Sequence, residues 1–274
     1  MDTSAQIASI DWQGRQLALE YAWVGAPSSE YPVVVFLHEG LGSLSMWKDF
    51  PAHFCTANGL RGLVFSRYAY GNSTARPAEE HWRPDFMHRQ AIEVLPALFA
   101  QLGIERPWLF GHSDGGSIAL LYAAHFPNEV SGVVTVAPHI FVEDISIANI
   151  RAAREAYLHG DLRSRLARHH ADVDSAFWGW NDIWLDPAFR DWNIEDELAG
   201  ITCPVIAIQG EDDEYGTLEQ VHGIIRRISS ARLCVLSQCG HSPHRDQPSE
   251  LSREAAEFIT THRVYKNHTG DNHA

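Results

Sequence analysis

Residues 107–118 read PWLFGHSDGGSI, an apolar run that stops at a serine set among glycines. The run is short and bounded, as a buried strand is, and SIALLYAAHF at 117–126 has the 3.6-residue rhythm of a helix. Ser113 therefore falls at a strand-to-helix turn. Gly111-His112-Ser113-Asp114-Gly115 satisfies G-x-S-x-G, in which small flanking residues let the backbone turn sharply and lift a hydroxyl clear of a sheet. The start of the helix adds free N–H groups that face developing negative charge, and the amide of Asp114 is placed to be one oxyanion donor. The plainer alternative is a serine that only caps a helix. What decides between them is whether the rest of the chain supplies partners.

Outward from this turn the chain alternates. IASIDW and RQLALEYAWVG, split by Gln13-Gly14, predict an opening β-hairpin. PVVVFLHEG, GLVFSRYAYG, PWLFGHS, VSGVVTVAPH, PVIAIQGEDD and ARLCVLSQCGH are short apolar runs ended by glycine, proline or polar clusters, the pattern of strands covered on both faces. Helical patterns lie between them, at SMWKDFPAHFCTANG, FMHRQAIEVLPALFAQLG, TLEQVHGIIRRI and PSELSREAAEFITTHR. The alternation predicts an α/β fold, a mostly parallel, doubly wound sheet. It breaks once, over residues 139–199, where helical patterns continue without a convincing strand. That segment is too long for a loop and too periodic for disorder, so it reads as a helical cap inserted in a core of residues 1–138 and 200–264, with a flexible tail at 265–274.

A chain of 274 residues suits one sizeable core, and 45% hydrophobic with 20% charged residues is ordinary for a globular protein. The formal charge of −14 argues against nucleic acid and anionic membrane as partners and leaves a small molecule. The N-terminus lacks the basic start and apolar stretch of an export signal, and no apolar run is long enough to span a bilayer, which predicts a cytoplasmic location. Cys55, Cys203, Cys234 and Cys239 are dispersed, as in a reduced protein. Cys234, Cys239, His241 and His244 resemble a zinc cluster on paper, but Cys234 falls inside an expected strand, so no metal is expected.

In open α/β sheets ligands bind beyond the carboxyl ends of the strands, and two further ends carry chemistry, GEDDE at 210–214 and CGHSPH at 239–244. A serine hydroxyl is a poor nucleophile unless a base takes its proton, and the base needs an orienting carboxylate. Asp213 and His241, each just past an apolar run, offer both in the chain order Ser, Asp, His.

With these residues in place the sequence resembles the α/β-hydrolase fold family from about Val33 to Ile259, through FLHEGLGS, SRYAYGNST, GHSDGGSIAL, CPVIAIQGEDD and CGHSPHRDQP. The resemblance selects Asp213, third after Gly210, over its acidic neighbours, and the histidine after Gly240. It also implies a second oxyanion donor from the loop after an early strand ending in His-Gly. Here the chain reads His38-Glu39-Gly40-Leu41-Gly42, a departure that puts the donor at Gly40, or at Leu41 if a residue is inserted, and leaves Glu39 either in the pocket or anchoring its loop. GHSDGG resembles valacyclovir hydrolase-like esterases more than the meta-cleavage hydrolases with GNSMGG. The resemblance thus implies a serine hydrolase that cleaves a small apolar or aromatic carboxylic ester through an acyl-enzyme, without a cofactor. A C–C hydrolase of ring-cleavage products, a lactonase or thioesterase, and a non-catalytic receptor are the alternatives. Trp178, Trp180, Trp184 and Trp192 either hold the cap together or, for the first three, line the pocket; Arg67 and Arg245 either hold a substrate carboxylate or pair with the protein's own acids.

Overall fold

A computed structural model of the chain describes residues 5–27 and 32–269. Eight strands, β1 (Gln6–Trp12), β2 (Arg15–Gly25), β3 (Val34–Leu37), β4 (Arg61–Phe65), β5 (Trp108–His112), β6 (Gly132–Val136), β7 (Val205–Gly210) and β8 (Arg232–Leu236), form one sheet. Their order is β1-β2-β4-β3-β5-β6-β7-β8. The hairpin β1–β2 is antiparallel, as is β2–β4, and every pair from β4 to β8 is parallel. Gln13 and Gly14 both take positive φ, 52° and 75°, the backbone twist that matches a tight hairpin.

All residues of β3, β5, β6 and β7 are buried, which is why those runs are apolar on both faces. β8 differs from that expectation. Among the described residues it is an edge strand, and Leu233 and Val235 are exposed on one of its faces. Helix Asp114–His125 is buried along Asp114–Ala123, so it packs as an interior element rather than as a surface one.

Parallel pairing has a positional result. Leu37 pairs with Gly111, His112 with Val136 and Gly210 with Leu236, so the carboxyl ends of these strands and the loops that follow reach one rim of the sheet. Between β6 and β7 lie helices Asp144–His159, Leu162–Leu166 and Val173–Leu185. This stretch closes on itself at its base, where Ile194 N donates to Ile140 O at 2.8 Å beside an isolated Phe141–Asn193 bridge. The segment expected as a flexible tail is helical through Thr269, and positions 270–274 lie outside the described residues. Among the described residues, no helix is long and apolar enough to cross a membrane, and no cluster of three or more His, Cys, Asp or Glu is placed to hold a metal.

The turn at Ser113 needs its glycines. A Cβ on Gly115 would lie 2.1 Å from the Leu37 carbonyl oxygen, and one on Gly111 would lie 2.2 Å from the Gly115 carbonyl oxygen. Backbone cannot yield as a side chain can. Gly115→Ala is therefore expected to cost about 3 kcal/mol in urea unfolding, against about 1 kcal/mol for Gly14→Ala, where a Cβ meets nothing. Equal losses would contradict this packing.

Candidate active site

Ser113 stands between β5 and helix Asp114–His125 with φ 53° and ψ −121°, a strained conformation for a residue with a Cβ. Its N–H is held by Val136 O at 2.9 Å, and its own carbonyl accepts from Gly116 N at 2.7 Å. Its hydroxyl is thereby carried to the rim. Ser113 Oγ lies 3.0 Å from His241 Nε2, and His241 Nδ1 lies 2.8 Å from Asp213 Oδ1. With Nδ1–H donating to the carboxylate, Nε2 is left as the acceptor that faces the serine O–H.

Asp213 is fully satisfied. Oδ1 also accepts from Tyr215 N at 2.8 Å and Gly216 N at 3.2 Å, and Oδ2 from Gln209 Nε2 at 3.1 Å. Burial on its own would push this carboxyl up; the hydrogen bond and charge of His241 and the Tyr215 amide hold it below the usual range. Its acidic neighbours do other things. Glu211 and Asp212 are exposed, and the Glu214 carboxylate accepts the main-chain N–H of His241 at 3.0 Å.

The loop after β3 is built around one peptide. The Glu39 carbonyl accepts from His38 Nδ1 at 2.7 Å, Arg67 Nη2 at 2.8 Å and Gly42 N at 3.1 Å. His38 Nε2 accepts from Arg67 N at 3.0 Å, so the ring is the Nδ1–H tautomer. Burial and then the Arg67 charge hold His38 well below its ordinary pKa, which keeps it neutral in this role. In a trans peptide the carbonyl and the next N–H point opposite ways, so pinning Glu39 O aims the Gly40 N–H away from those three donors. Gly40 also packs on helix Val173–Leu185, where a Cβ would lie 2.1 Å from Trp180 Nε1.

A cavity of about 150 Å³ joins these parts; Glu39, Gly40, Leu41, Ser113, Asp114 and His241 all border it. Trp180, Trp184 and Ile150 of the inserted helices close it, with Tyr215 and His139 beside them. Trp178, a candidate for the same wall, is not there. It lies on another face of helix Val173–Leu185, with Arg154 5.5 Å over its ring and Phe177 5.0 Å away, whereas 180 and 184 are one turn apart on the cavity side. Trp192 stacks on Phe189 at 5.2 Å as part of the helical packing. Larger cavities of 490 and 530 Å³ lie elsewhere and contain none of Ser113, Asp213 and His241, so size does not select the site here.

Neither arginine borders this cavity. Arg67 is buried and spends Nη2 on Glu39 O, and Arg245 Nη2 lies 3.6 Å from Glu39 Oε1. Glu39 combines both expectations, since it borders the cavity and is tied to its surroundings. Sequence reasoning missed His139, Tyr215 and the structural part of His112. His139 ends the VAPH run on the same rim and could have been found there; burial and then the His241 charge push it down to about 3, so it is a neutral wall. Nothing local in the sequence marks Tyr215.

The α/β-hydrolase fold family matches residues 32–179. A 2-hydroxy-6-oxo-6-phenylhexa-2,4-dienoate hydrolase from Comamonas testosteroni is 26% identical over 260 residues, covering 85% of this chain and 89% of that one. A proline iminopeptidase from Thermoplasma volcanium is 22% identical, covering 73% and 80%. Among solved structures, a thermophilic esterase from Thermogutta terrifontis superposes with a TM-score of 0.73 at 18% identity, covering 94% of this chain and 99% of that one. The chain belongs to the α/β-hydrolase fold family, and its relatives carry several different hydrolytic activities.

Asp114 supplies a pH signature. It is buried, its Oδ1 accepts from Trp184 Nε1 at 3.3 Å, and burial, against the pull of Arg67, raises its carboxyl to about 6. A raised folded-state pKa means the folded protein binds the proton more tightly than the unfolded chain. Stability is therefore lost as pH rises from about 4 through 6. Asp114→Asn removes that loss, so its stability relative to the native protein is expected to improve by about 2–3 kcal/mol from pH 4 to pH 7 in urea titrations. A pH-independent difference would contradict this assignment.

Proposed function

We propose that the protein hydrolyses small, uncharged carboxylic esters through an acyl-enzyme on Ser113. The observation that carries this reading is the continuous Ser113–His241–Asp213 hydrogen-bond chain at the wall of a small, largely apolar cavity. His241 Nε2 takes the hydroxyl proton as Ser113 Oγ bonds to the ester carbonyl carbon. The negative charge that moves onto the carbonyl oxygen is held by the main-chain amides of Asp114, at the start of its helix, and Gly40. The C–O bond to the alcohol then breaks, and His241 delivers its proton to the departing oxygen. Water repeats the sequence on the acyl-enzyme and frees the acid. Asp213 keeps the imidazole in the tautomer that each step needs. None of these steps calls on a cofactor.

Charge and size favour an ester over a ring-cleavage dienoate. The residues bordering the cavity include Glu39 and Asp114 and no lysine or arginine, so a substrate carboxylate would meet like charge without a partner. A volume of about 150 Å³ is below that of pockets for drug-sized ligands, which suits a short acyl or alcohol group.

Fluorophosphonate is expected to label the native protein once, at Ser113 by peptide mass mapping. Ser113→Ala is expected to take no label and to lose about 10⁴-fold or more in kcat/KM on short esters, with a parallel loss in His241→Ala. Neutral esters should exceed their carboxylate-bearing analogues by at least about tenfold. Absence of label on the native protein would leave the fold as a binding module; preferential cleavage of a dienoate would move the reading to C–C hydrolysis.

A further inference from the structure

The chemistry just described leaves the Glu39 side chain and the ring of His112 without work. We infer that Glu39 and His112 form a second carboxylate–imidazole couple that positions the His241 loop against the oxyanion loop, an inference that rests on the reading of Ser113 as nucleophile.

His112 Nε2 lies 2.7 Å from the His241 carbonyl oxygen. A carbonyl can only accept, so the hydrogen is on Nε2. The other nitrogen, Nδ1, is buried and faces Glu39 Oε2 at 3.6 Å, beyond hydrogen-bond reach, so the two attract as an ion pair only with the ring carrying a hydrogen on both nitrogens. The loop makes room for that carboxylate, for a Cβ on Gly42 would lie 2.4 Å from Glu39 Oε2. Around it stand His112 from the end of β5, His244 and Arg245 from the segment after β8, and His38 on its own loop. Burial works to protonate Glu39, and His112, first among its neighbours, holds it well below its ordinary value, so it faces His112 as a carboxylate.

Two chains of contacts therefore converge on one residue. Asp213 orients the ring of His241 through Nδ1, and Glu39, through His112, fixes the main chain of His241 through its carbonyl. Glu214 holds the adjacent N–H, so the His241 main chain is gripped on both sides. Glu39 is also the residue whose own carbonyl sets the direction of the Gly40 amide. One residue thus ties together the oxyanion loop, the Ser113 turn and the base loop. Reaction needs these parts held to within a fraction of an ångström, whereas ground-state binding in an apolar cavity does not. Glu39 and His112 are positioning residues, and their effect belongs in kcat.

The test compares Glu39→Gln, His112→Phe, the double variant and His112→Gln, whose amide can still donate to the His241 carbonyl, with short-ester kinetics and thermal melts on each. Glu39→Gln and His112→Phe are each expected to lower kcat about 10- to 100-fold with KM within about threefold of native. The double variant should fall no further than the weaker single variant, within about threefold, because residues acting as one unit are non-additive. His112→Gln should recover at least about tenfold over His112→Phe. Losses that multiply, losses carried by KM, or native kcat in Glu39→Gln would each overturn the inference. The melts separate the two levels, since coupling of the Tm losses is expected even in a protein without turnover. Additive Tm losses would overturn the couple itself, while coupled losses in a protein that neither turns over esters nor takes the fluorophosphonate label would retain the couple and remove only the nucleophile reading.

Discussion

The backbone at Ser113 carries the rest of the structure. A residue with a Cβ holds φ at 53° there because helix Asp114–His125 is packed so tightly on β3 and β5 that no relaxed path joins strand to helix. Strain of this kind, on the order of 1–3 kcal/mol, persists only where the surroundings over-determine it. The surroundings here are backbone against backbone, through Gly111 and Gly115, and the N–H of Ser113 locked on Val136 O. The same turn sets the hydroxyl at the rim and opens the helix N-terminus beside it. Parallel register then brings the loops after β3, β7 and β8 to the same edge.

Around that turn, polarity is distributed by burial and compensated locally. Asp213 is buried but receives four hydrogen bonds, and it stays ionised; Asp114 is buried with one weak partner and is pushed upward. His38 and His139 are buried and held neutral, one as a donor–acceptor bridge within the loop after β3 and one as a wall. The contrast between the two aspartates follows from hydrogen-bond count, not from distance to the serine.

Much of this is legible in the chain. The apolar runs give the parallel strands, because a strand covered on both faces has no polar alternation to hide it. GHSDGG, GEDDE and CGHSPH stand where those runs stop, and the structure brings Ser113, Asp213 and His241 within hydrogen-bond reach. What is not legible depends on which way a helix face turns or where a side chain folds back. Trp178 and Trp180 are two residues apart in a segment rich in tryptophan, and only the axial rotation of their helix separates cavity wall from outer face. β8 looks like its neighbours in composition and differs in its place at the edge of the sheet. Glu39 breaks the His-Gly pattern, and its partners, His112 and Arg245, are 73 and 206 positions away in the chain, beyond any local pattern.

The most direct measurement is the crystal structure of the protein after reaction with a phosphonate ester. The expected result is a covalent bond from phosphorus to Ser113 Oγ, with the phosphoryl oxygen about 3 Å from the amide nitrogens of both Gly40 and Asp114 and His241 Nε2 facing the departed group. An adduct on any other residue, or a phosphoryl oxygen turned away from both amides, would contradict it.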